Sequence, residues 1–75
     1  MEYDYRQAIK DFVGKDGFVA FEHGFKPEFC MWGVSDKEVC FSQYGRHAID
    51  ELSDMQARMV LRDLLEYLNY CKLYA

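Results

Sequence analysis

Five side chains in this sequence have the chemistry to hold a metal or to carry a nucleophile: His23, His47, Cys30, Cys40 and Cys71. Thiolate and imidazole are the natural ligands of zinc, and a cysteine beside a histidine base is a common covalent catalyst. Their spacing argues against both roles. The chain contains no C-x-x-C and no H-x-x-x-H, whereas structural zinc sites draw their ligands in close pairs from turns. A catalytic cysteine needs partial exposure and an electropositive setting. Cys30 stands between Phe29 and Met31, and Cys40 between Val39 and Phe41, so both read as small hydrophobes in apolar strands. A domain of this size also has little room for a pocket of a few hundred cubic ångströms. The residues imply no enzyme and no cofactor. A small-ligand or zinc-binding domain built on these Cys and His side chains is the rival reading.

The second chemistry on offer is aromatic. Six Phe, six Tyr and one Trp could supply stacking platforms for single-stranded nucleic acid. Such platforms need basic flanks to hold the backbone, and the chain has a net charge of −4 with Lys10, Lys15, Lys26, Lys37 and Arg46 scattered singly. That excludes binding by phosphate neutralisation. The same charge is too mild for an acidic mimic of nucleic acid. The aromatics are therefore core and protein interface. The candidate partner-binding residues are Trp32, Phe25, and a strip of Met59, Tyr70 and Tyr74 that projects away from the main buried sector of the last helix. Tyr and Met are favoured at such surfaces. The competing role for the tyrosines is to cover Tyr5 and Phe12 of the first helix.

What positions these residues is a helix from Ser53 to about Lys72. At 100° per residue Ala57, Val60, Leu61, Leu64, Leu68 and Cys71 fall in one sector, with Leu65 and Tyr67 at its edges. Ser53 and Gln56 form a capping box at its start, and Asp54 puts negative charge in the first turn. A shorter helix precedes it. Asp4 is its N-cap with Gln7 three positions on, Tyr5, Ala8, Ile9, Phe12 and Val13 make its apolar stripe, and Gly14 ends it ahead of the turn Lys15-Asp16-Gly17.

Between the helices the period changes to two. Phe18 to His23, Phe29 to Val34 and Val39 to Tyr44 read as strands. A Gly24-to-Glu28 loop that contains Phe25 separates the first two, and a connection of about four residues, Ser35-Asp36-Lys37-Glu38, joins the last two as a hairpin. Gly33 inside the second strand marks a bulge or a close approach by another backbone. Residues 45–52 are either a crossover loop anchored through Ile49 and Leu52, with Leu52 stapled to Ala57, or a short fourth strand.

The expected fold class is α+β, a two-layer helix–three-stranded antiparallel meander–helix forming one domain over residues 1–75. One sheet face is left over, carrying some of Val19, Phe21, Cys30, Trp32, Cys40 and Tyr44. That face is too apolar for water and points to dimerisation or a binding surface. Three widely spaced cysteines, a polar acidic start and the lack of any membrane-length apolar run suggest a cytoplasmic protein with no membrane partner. The functional expectation is a small non-enzymatic protein–protein interaction module, a regulator or inhibitor, that associates with itself as a homodimer.

Overall fold

The computed structural model describes residues 3–21, 25–27, 29, 31–42 and 45–74. Two helices and a four-stranded antiparallel sheet make an α+β fold. Helix α1 spans Tyr5–Val13, strands β1 to β4 span Phe18–Ala20, Met31–Ser35, Glu38–Phe41 and Gly45–Ala48, a single 3-10 turn covers Ile49–Glu51, and α2 spans Asp54–Tyr74. The strands lie in the order β1-β2-β3-β4, so the sheet is a simple meander.

Both helix starts are written in side-chain hydrogen bonds. The Gln56 N–H donates to Ser53 Oγ at 3.1 Å while the Ser53 N–H donates to Gln56 Oε1 at 2.9 Å. This reciprocal capping box satisfies two backbone donors that the helix leaves open. At α1 only half of the device forms. Asp4 Oδ1 accepts from the Gln7 N–H at 3.0 Å, but the Gln7 side chain turns forward to Asp11 at 2.9 Å instead of back to the cap. Gly14 closes α1 at φ +90°, its N–H bonded to the Lys10 carbonyl at 2.9 Å.

The expected three-stranded meander has a fourth strand, because Gly45–Ala48 pairs with Glu38–Phe41 in the register Glu38↔Ala48, Val39↔His47, Cys40↔Arg46 and Phe41↔Gly45. The β2–β3 connection is also tighter than four residues. Ser35 and Glu38 belong to the strands, and the Ser35 hydroxyl oxygen accepts from the N–H groups of Lys37 and Glu38 at 3.1 and 2.9 Å, leaving Asp36-Lys37 as the turn. The first strand stops at Ala20; Glu22 and His23 lie outside the described residues, as does Tyr44 at the expected end of the third.

The core lies between the two helices and one face of the sheet. Ala8 and Ile9 of α1, Ala57, Val60, Leu61 and Leu64 of α2, Met31, Val34, Val39 and Phe41 of the sheet, and Ile49 and Leu52 between them form one buried cluster. Leu52 and Ala57, the expected staple pair, are both in it. Phe12 is not: it is 50% exposed, because α1 buries only a narrow seam at Ala8 and Ile9. Polar clamps complete the docking of α1. Arg6 donates to the Leu52 carbonyl from two of its nitrogens and to Asp54 at 2.8 Å from the third, and Lys10 reaches Asp50 at 2.7 Å.

Candidate interaction surface on the open sheet face

The register settles which side chains face the helices. Val19↔Val34 and Val34↔Val39 point into the core. By strand alternation their neighbours Phe18, Ala20, Ser35, Glu38, Cys40, Arg46 and Ala48 face the other way. Between Met31↔Phe41 and Gly33↔Cys40 the pairing slips by one residue, leaving Trp32 as the extra residue of a β-bulge. The bulge re-aims Trp32 onto the open face, where its ring lies 5.8 Å from that of Phe18.

These two rings dominate the surface. Phe18 is 51% and Trp32 49% exposed, yet they cover what lies under them. A β-carbon on Gly33 would stand 2.5 Å from Phe18 Cζ, so the ring occupies the space that a side chain at position 33 would need. Cys40, in the same row as Gly33, is only 4% exposed. Beside it Arg46 pairs with Glu38 at 3.6 Å, both side chains open to water. The face thus combines an aromatic patch on β1 and β2 with an exposed ion pair on β3 and β4.

The cysteine chemistry is quiet here. Burial pushes the Cys40 thiol above its ordinary value, Arg46 pulls it partly back, and Glu38 adds to the rise. A raised thiol is a poor nucleophile at neutral pH. His47 pairs with Val39 and its ring contacts Phe41 at 5.5 Å, so it faces the opposite side of the sheet from Cys40. Cys71 lies half-buried near the end of α2. His23 and Cys30, the other two candidate ligands, lie outside the described residues. Among the described residues no three His, Cys, Asp or Glu side chains gather closely enough to hold a metal ion.

The expected partner-binding residues separate into groups. Trp32 belongs to the open face. Phe25 and Tyr70 come together 5.6 Å apart, but in a half-buried cluster with Phe21 and Tyr67. Tyr67 is the most enclosed of the four, with Phe21 edge-on at 4.8 Å. This cluster holds the segment after β1 against the C-terminal half of α2. Met59 is half-buried on α2, and Tyr74 is the last residue of that helix, its side chain outside the described part.

Two functional or structural residues have no counterpart in the sequence reading. Residue types place Phe18 on a strand and say no more; its partnership with Trp32 depends on register, which residue types do not encode. Asp63 is 1% exposed and its Oδ2 accepts the Phe29 N–H at 2.8 Å, tying the segment before β2 to α2. A signal for it exists, since Asp63 lies three residues after Val60 and four before Tyr67, on the shoulder of the buried sector. Among the described residues no helix is long and apolar enough to cross a membrane. No protein family, curated protein or solved structure matches this chain.

Proposed function

We propose that this chain is a non-enzymatic protein–protein interaction module that works through the open face of its sheet and associates with itself there. The observation that carries the reading is the Phe18–Trp32 pair, two large rings half in water on the sheet face turned away from the core. Aromatic anchors of this kind dominate binding energy at protein interfaces. The neighbouring ion pair supplies the polar rim that such interfaces carry. The net charge of −4 supports a protein partner over nucleic acid. Free thiols at Cys40 and Cys71 support work in the reducing cytoplasm.

The test is Trp32→Ala. An interface residue is removed at little cost to the fold, so the variant should melt within a few degrees of the parent and lose its self-association. A variant that unfolds, or one that assembles as the parent does, overturns the assignment.

A further inference from the structure

The open face is patterned in two rows. Phe18 pairs with Ser35 and Glu38 with Ala48, and these four residues make one row. Ala20, Gly33, Cys40 and Arg46 are paired consecutively and make the other, with Trp32 bulging beside Gly33. The row between them, Val19, Val34, Val39 and His47, faces the helix layer.

We infer that the occupant of this face is a second copy of the chain, stacked sheet on sheet about a two-fold axis that runs along the middle row, across the strands. This rests on the reading of the face as a self-association surface and adds the register in which two copies meet. Such an axis lays each strand over its own counterpart with direction reversed, so each row meets the other row of the partner. Phe18 then lies over a partner Ala20, and Arg46 over a partner Ala48: a large side chain meets a small one at both edges. In the middle Ser35 meets a partner Gly33 already covered by that partner's own Phe18 ring, so the Phe18 and Trp32 rings of the two copies gather there.

Charge follows the same symmetry. Glu38 lies over a partner Cys40, next to a partner Arg46, and the reverse contact repeats across the axis. The two exposed ion pairs merge into a ring of four charges with alternating sign. A face with one sign of charge would repel its own copy; this one is complementary to itself. Four strands of three to five residues, about 4.8 Å apart and rising about 3.3 Å per residue, span a few hundred Å², less than the roughly 800 Å² per partner of a standard stable complex, so the dimer forms reversibly at high protein concentration.

Charge reversal tests the register. Glu38→Arg and Arg46→Glu are made separately and studied by sedimentation equilibrium, with thermal melts to show that each folds. Each variant alone sets like charges against like and should self-associate at least tenfold more weakly than the parent. An equimolar mixture should recover dimer to the parent level or beyond. Each chain in the mixture keeps its own like-charged pair, so recovery comes only from contacts across the interface.

A parent that stays monomeric at millimolar concentration overturns the self-pairing. A mixture that recovers nothing, or single variants that dimerise as the parent does, overturns this register. If Trp32→Ala alone abolishes the dimer in that case, the open face is still the contact surface and only the two-fold arrangement is wrong.

Discussion

The ring of Phe18 stands over Gly33, its Cζ 2.5 Å from where a β-carbon on residue 33 would be. Phe18 and Gly33 are on neighbouring strands, diagonal on the same face and two residues out of register, since Phe18 pairs with Ser35 and Gly33 with Ala20. The missing side chain lets the ring lie down on the sheet and reach Trp32. An aromatic ring covering a strand glycine offsets the packing that the glycine lacks.

Gly33→Ala should therefore displace the Phe18 ring. The obstructing atom is the far end of a side chain, so the ring swings away and the cost stays near the low end of overpacking, about 1 kcal/mol. The variant should fold, with the emission of its single tryptophan shifted to the red as Trp32 loses its neighbour. An unchanged spectrum would show that Phe18 does not shield Trp32.

Much of this architecture is legible in residue types, and the exceptions share a cause. The Ser53–Gln56 box, the Asp4 cap and the α2 stripe are local, set by residues three or four apart, and they stand as expected. The fourth strand is only one of two readings of residues 45–52, because Gly45-Arg46-His47-Ala48 has no alternating apolar pattern; all four residues are exposed, and strand pairing alone defines them. The face assignment of Trp32 depends on a one-residue slip between β2 and β3, and a slip of one moves a side chain across the sheet. Tyr70 projects off the helix seam, yet Phe25 meets it there, which is a contact 45 residues apart in sequence.

Asp63 should matter through its bond to the Phe29 N–H. Asp63→Ala leaves the Phe29 N–H without its acceptor in a half-buried position, a loss of about 1–3 kcal/mol. In a domain of this size that lowers the melting temperature by roughly 4–8 °C per kcal/mol. Asp63→Asn keeps an acceptor oxygen and should lose less. Amide exchange at Phe29 reads the effect directly: it should accelerate in the alanine variant while the α2 amides around Val60 stay protected. Equal acceleration at both would mean that Asp63 supports the whole fold and not this segment.

Cys40 gives a signed pH dependence. The folded protein holds its thiol proton more tightly than the unfolded chain, because burial raises the folded value above the ordinary 9.0. The stability linked to that proton is fully present below the unfolded value and is lost as pH rises through the folded one. Between about pH 8 and about pH 10 the parent should lose more denaturation free energy than Cys40→Ala. At neutral pH iodoacetamide should modify Cys71 before Cys40. A Cys40 that reacts at the rate of an unfolded thiol would contradict its burial.

The proposed contact surface is the Phe18–Trp32 face. Trp32 is the single tryptophan in the sequence, so its fluorescence reports that face and nothing else. A concentration series followed by sedimentation and by Trp32 emission joins assembly to place in one measurement. A dimer that grows with concentration is expected, with emission moving to the blue and acrylamide quenching falling in step. Dimer formation with unchanged Trp32 emission and quenching would contradict it, because assembly would then leave this face in water.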